Sequence, residues 1–231
     1  MVARGDLVPY LISILAVLTP LGLIVLAWRM VARRRREPSP ASTFIPHADA
    51  RDDHVVDIHA PSGLVFEVAK HMDLQGDPLV AALIRIRGAV MHDHPRGRTR
   101  RGLVAETLAL GWGVLSYTAG RRLVMGAVAR PWARDVTFSA VDPGEFARFA
   151  EPDLVKIVWT LEAEPLGPAL TRFRSETRVE ATDAEARRTF RWYWLAFGIG
   201  IRLIRWRLLR SLRREAERRN LAEAGVSRQA A

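Results

Sequence analysis

Hydrophobic positions follow three different patterns along the chain. Residues 7–28 (LVPYLISILAVLTPLGLIVLAW) carry no charge. As an α-helix that run is about 30 Å long, the thickness of a bilayer's hydrocarbon core, so it predicts a transmembrane helix. Transmembrane helices tolerate Pro20 and Gly22, and the Trp28 ring suits the headgroup layer. Arg29 and then Arg33, Arg34, Arg35 and Arg36 follow, whereas the preceding tail holds only Arg4 against Asp6. That bias places the N-terminus outside and the remainder in the cytoplasm, a single-pass protein of the plasma membrane. A cleaved signal peptide would carry its charge before a shorter apolar run of about 7–15 residues. Residues 1–36 are thus expected to be an anchor with a basic flank. Residues 37–53, with Pro38, Pro40 and Pro46 and no regular period, read as an extended linker.

The second pattern is period two. Residues 54–60 form a short β-rich run, and Ser62 is placed to cap a helix reaching about residue 71. Residues 79–91 and 103–110 read as further short helices. Residues 112–118 and 121–129 flank Ala119-Gly120 as a hairpin, 136–140 is a brief strand, and Asp142-Pro143-Gly144 opens a helix ending near residue 149. Over 154–164, Val155, Ile157, Trp159, Leu161 and Ala163 share one face, with Lys156, Thr160, Glu162 and Glu164 opposite. Over 170–182, Phe173, Ser175, Thr177 and Val179 oppose Arg172, Arg174, Glu176, Arg178 and Glu180. Such alternation predicts antiparallel strands with one dry face and one wet face laced by cross-strand ion pairs.

The third pattern is helical and spans about 183–222. At 100° per residue, Phe190, Trp194, Phe197, Ile201, Ile204, Leu208 and Leu212 lie within an arc of about 80°, a stripe able to cover a sheet. Gly198 and Gly200 are expected to kink or split this helix. On its opposite side lie Trp192, Leu195, Ile199, Leu203 and Trp206 among Arg191, Arg202, Arg207, Arg210 and Arg214.

Composition narrows the function classes. With 49% hydrophobic residues in 231, the chain can bury a core, so disorder is excluded. No cysteine means no disulfide and no thiolate chemistry. The formal net charge is +10, and all but Lys70 and Lys156 of the 35 basic residues are arginine. Scattered arginines fit a coding preference, but residues 183–223 hold 11 Arg against 5 acids, a net +6. An apolar face among those arginines predicts contact with an anionic membrane surface, with a dimer interface or a covered face as alternatives. Nucleic acid is not expected as a partner beside a membrane anchor. His92-Asp93-His94, with His54 and His59 elsewhere, offers no set of three convergent metal ligands, so the loop reads as solvated. No G-x-S-x-G elbow surrounds Ser116 or Ser139, and Gly198-Ile199-Gly200 falls inside a helix rather than after a strand.

The order strand, two short helices, antiparallel strands and long C-terminal helix resembles the helix-grip arrangement of the START-like, or SRPBCC, superfamily. That superfamily includes polyketide cyclases, aromatase-like domains and pollen-allergen-like lipid binders. The resemblance rests on residues 55–74 (VVDIHAPSGLVFEVAKHMDL), 158–183 (VWTLEAEPLGPALTRFRSETRVEATD) and 190–194 (FRWYW), within about 54–219. It implies an α+β domain over 54–222, with a curved antiparallel sheet gripping the long helix, followed by a flexible tail over 223–231. It resembles membrane-tethered bacterial members most. A cavity for an apolar small molecule or lipid is implied between sheet and helix. Its expected lining is Trp112, Met125, Trp159, Leu161, Phe173, Ser175 and Thr177 from the sheet, and Phe190, Trp194, Phe197 and Ile201 from the helix. Ser175 and Thr177 are the natural orienting hydroxyls. No cofactor is implied. A cyclase or dehydratase on the same fold is the alternative, with a protein-interaction module using the helix's outer face as another.

Overall fold

The computed structural model describes residues 39–73, 77–78, 80–82, 85 and 102–229, the last four without their side chains. The expected anchor, most of the helix expected at 79–91 and the His92-Asp93-His94 loop lie outside them. The chain divides into two units, Met1–Ser39 and Pro40–Ala231, and the elements below belong to the second. No helix among the described residues is long and apolar enough to cross a membrane.

The elements run α1 (Ala41–Phe44), β1 (Ala50–Ile58), α2 (Ser62–His71), α3 (Leu103–Ala109), β2 (Gly113–Thr118), β3 (Arg122–Ala129), β4 (Phe138–Ser139), α4 (Pro143–Phe146), β5 (Val155–Gly167), β6 (Leu170–Ala181) and α5 (Ala184–Gln229). All strand pairs are antiparallel, in the order β1-β6-β5-β3-β2, with β4 also on β3. The result is an α+β fold in which a curved sheet meets one long C-terminal helix.

Local chemistry sets the boundaries. Asp183 starts α5 by accepting from the backbone N–H groups of Glu185 and Ala186, each at 2.8 Å. Asp142 caps α4 through Gly144 N at 2.8 Å, and Pro143 supplies the preset φ of the first turn. That helix stops at Phe146, short of the expected residue 149. Ser62 does not cap α2; Pro61 holds the cap position in extended conformation and Ser62 is already helical. At the β2–β3 hairpin a bulge between Val114 and Ser116 turns Leu115 into the core.

Three expectations need correction. The residues assigned to the linker are largely part of the fold: Ala41 and Ile45 are fully buried, and β1 begins at Ala50 rather than 54. For the same reason the polar sheet face is not wet at its centre. Lys156, Val158, Thr160, Glu176 and Arg178 are buried there, beneath Ile45 of the N-terminal segment and Phe146 of α4. Finally, α5 is not split at Gly198 or Gly200, and it continues through the expected tail to Gln229. At Gly198 an added Cβ would lie 3.3 Å from the Trp194 indole. The missing side chain there leaves room for the ring of Trp194, one turn earlier, to lie against the helix.

Candidate functional site

Helix α5 packs on β1, β6 and α2. Two clusters form around it. One joins Phe66 of α2 with Leu161, Phe173 and Leu212; the other joins Val155, Val179 and Phe190. Between them lies a cavity of about 410 Å³, lined from both. That volume is within the ~300–1,000 Å³ typical of small-molecule sites.

Its walls follow from the two periodicities. Alternate residues of β5 and β6 give Ile157, Trp159, Leu161, Phe173, Ser175, Thr177 and Val179 to the inner face. The helical stripe gives Phe190, Trp194, Ile201, Ile204, Leu208 and Leu212. Trp112 and Phe138 close one side, their rings 5.4 Å apart. Of the residues expected to line a pocket, Trp112, Trp159, Leu161, Phe173, Ser175, Thr177, Phe190, Trp194 and Ile201 do surround the cavity. Met125 does not, because it is fully buried in the cluster built on Phe66 and Leu123. Phe197 does not either; its ring packs on Tyr193 one turn earlier, at 5.1 Å, and Tyr193 lines the cavity instead.

A polar patch of the cavity lies where β6 meets α5, apart from Thr107 of α3 and Tyr193 of α5. Trp159 Nε1 donates to Ser175 Oγ at 3.0 Å, and Arg205 donates to Thr177 Oγ1. Both hydroxyl oxygens are therefore acceptors already, and no acceptor for their own protons is found among the described residues. Arg205 also donates to the Asp52 carbonyl at 3.0 Å and lies 3.2 Å from an Asp52 carboxylate oxygen. The other carboxylate oxygen is 3.1 Å from His54 Nε2 and 3.8 Å from Arg202.

These charges oppose burial in different ways. Burial alone would raise the Asp52 pKa, but the His54 hydrogen bond and the Arg205, His54 and Arg202 charges outweigh it. The carboxyl is held below its ordinary value. Burial pushes Arg205 down, against the pull of Asp52, Asp53 and Glu176. The site is a mainly apolar chamber with a polar corner formed by Ser175, Thr177 and Arg205.

Arg205 and Asp52 are functional candidates that the sequence reading missed, and His54, weighed there only as a metal ligand, instead faces Asp52. A signal for Arg205 was present, since it falls at about 60° on the wheel, just outside the apolar arc. Asp52 carried none, because it sat in a segment read as linker. The remaining histidine singled out, His59, faces Glu217 at 3.3 Å. The carboxylates Glu162 and Glu164 stay on the outer face, where Arg122 holds Glu162 at 2.9 Å.

The outer-face residues of α5 are also where the periodicity put them. Trp192, Leu195, Ile199 and Trp206 are exposed and Leu203 is half-buried. Arg202 and Arg210 are exposed, and Arg207 is held by Asp77 at 2.9 Å.

No protein-family model and no curated protein matches the chain. Among solved structures it is similar to the Zhui aromatase/cyclase from Streptomyces sp. R1128, at 14% identity and a TM-score of 0.27, over 74% of this chain and 94% of that one. A superposition that loose says nothing about chemistry. The strand order and the helix described above stand independently of it.

Proposed function

We propose that this chain binds a hydrophobic small molecule or lipid in the chamber between sheet and α5, and that residues 1–36 hold the domain at the cytoplasmic side of a membrane. The observation that carries the reading is the cavity of about 410 Å³ with mainly apolar walls and a polar corner at Ser175, Thr177 and Arg205. An amphiphile fits that distribution: its apolar body displaces poorly held water, while one oxygen accepts from Ser175, Thr177 or Arg205. A membrane tether would keep the domain near membrane-dissolved ligand, so modest affinity suffices.

A cyclase- or dehydratase-type reaction is favoured by one observation, the charged Asp52–Arg205 pair, of which Arg205 lines the cavity and Asp52 lies behind it. Proton transfer, however, needs a group that changes charge where substrate sits. Arginine keeps its proton at any working pH. Asp52 is held ionised and engaged by Arg205 and His54 rather than lining the chamber. The pair supplies a fixed dipole for orienting a ligand, which suits binding better than acid–base catalysis.

The test is native mass spectrometry of the full chain released from mild detergent. An apolar adduct is expected to co-purify, and Ile201→Trp, which fills the chamber, should cut its occupancy at least about tenfold. Absence of any adduct, together with no uptake of a fluorescent fatty acid by folded protein, would overturn the proposal.

A further inference from the structure

Outside the chamber, the described surface holds one large anomaly. Along α5, Trp192 is 72% exposed, Leu195 68%, Ile199 76% and Trp206 44%. These positions share one side of the helix and span roughly 20 Å of its length. Scattered apolar residues on a surface need no explanation, but a contiguous stripe with two tryptophans does.

The charge around that stripe is equally unusual. Most arginines of the sheet and of the inner side of α5 are neutralised, as in Arg174–Asp53, Arg187–Asp49 and Arg205–Asp52. Arg188, Arg191, Arg210 and Arg214 are exposed and have no ion pair among the described residues. Arg188 and Arg191 precede and flank the stripe, and with Trp192 and Leu195 they line a groove of about 370 Å³. At the other end Arg210 stacks over the Trp206 ring, 4.5 Å from its centroid. Uncompensated guanidinium groups thus bracket exposed indole and aliphatic side chains.

We infer that this face of α5 docks on an anionic lipid surface, with Trp192, Leu195, Ile199 and Trp206 at the acyl–headgroup boundary and the four arginines on lipid phosphate. The pattern selects lipid over the other occupants. A second copy related by a two-fold axis would set the same basic patch against itself, arginine facing arginine. A nucleic acid would reward the charge and the indoles, but not the burial of Leu195 and Ile199 between them.

The chain has no cysteine, so a single reporter can be placed cleanly. Full-length Ile199→Cys, labelled with an environment-sensitive fluorophore, is reconstituted in phosphatidylcholine vesicles with or without phosphatidylglycerol. Val55→Cys, exposed on the sheet face turned away from α5, is the control. The expected result is a blue shift at position 199 only, only with phosphatidylglycerol, and reversed by high salt. Replacing Arg188, Arg191, Arg210 and Arg214 by Gln should lower the docked-to-free ratio about fivefold per arginine while leaving the far-ultraviolet spectrum unchanged.

Identical spectra in both lipids would overturn the inference. So would a shift in neutral vesicles that grows with protein density, which assigns the face to a second copy. A shift produced in neutral vesicles by added single-stranded DNA would assign it to nucleic acid.

Discussion

The two faces of the sheet solve the same problem in opposite ways. On the outer face, short local pieces close over the centre of the sheet. Phe146 of α4, Phe44 and Ile45 of the N-terminal segment and the bulged Leu115 close over Val124 and Val158, with the Phe44 and Phe146 rings 6.2 Å apart. Gly126 shows how tight this is: an added Cβ would sit 2.8 Å from the Phe146 ring and 2.5 Å from Leu115. On the inner face the 46-residue α5, with α2 and α3 beside it, spans a curved surface, and a chamber remains between helices and sheet. Small elements can follow curvature; one long helix cannot. The difference is therefore between a face closed by packing and a face that keeps a void.

Breaking the filled side should have the largest effect. Phe146→Ala removes a fully buried ring and is expected to cost about 3–5 kcal/mol by denaturant unfolding. Next comes Glu176→Gln, at about 3 kcal/mol. The carboxylate of Glu176 is wholly buried, 2.6 Å from Arg51 Nε and 2.9 Å from Arg178 Nε, and Arg178 also ties down the Ile45 carbonyl at 2.9 Å. Losing that charge leaves the buried Arg178 without its carboxylate and Arg51 with Asp53, at 3.3 Å, and loosens the arginine that ties down Ile45. Gly126→Ala should cost about 1–3 kcal/mol through overpacking.

The open side should respond differently. Ile201→Trp is expected to change stability by less than about 1.5 kcal/mol while abolishing most ligand uptake, because it adds bulk where space already exists. A loss comparable to Phe146→Ala would mean that the chamber is rigidly packed in solution, and the contrast between the faces would fail.

The smallest effect concerns pH. The folded Asp52 pKa is lowered, so its contribution is present above the ordinary carboxyl value and is lost as pH falls through the depressed folded value. Asp52→Asn should flatten the acid limb of a stability-against-pH curve below about pH 4 and leave its neutral region pH-independent. An unchanged acid limb would remove the Asp52–Arg205 pair from the account.

How far the chain could be read without coordinates depended on whether the signal was local. Helix α2 ends at His71, as its periodicity said, and β5 and β6 start within a residue of their expected positions. Nine of the eleven pocket candidates surround the cavity because side-chain alternation and helical phase need no tertiary knowledge. Met125 obeyed the same alternation and still missed, since burial beneath α2 depends on where a separate element lands. Ala41, Ile45 and Asp52 were invisible for a related reason. Proline-punctuated sequence looks like linker until one knows that a strand and a helix pass beneath it.

The amino-acid order alone settled β5, β6, the helical phase of α5 and the excess of arginine around its second apolar stripe, because each is a matter of spacing along one segment. Three-dimensional packing decided the rest. The way α2, α3 and α5 land on the curved sheet determines that a void remains, and the β1–β6 register brings Asp52 beside Thr177 within reach of Arg205. Both are distances between segments far apart in the chain, and no periodicity encodes them.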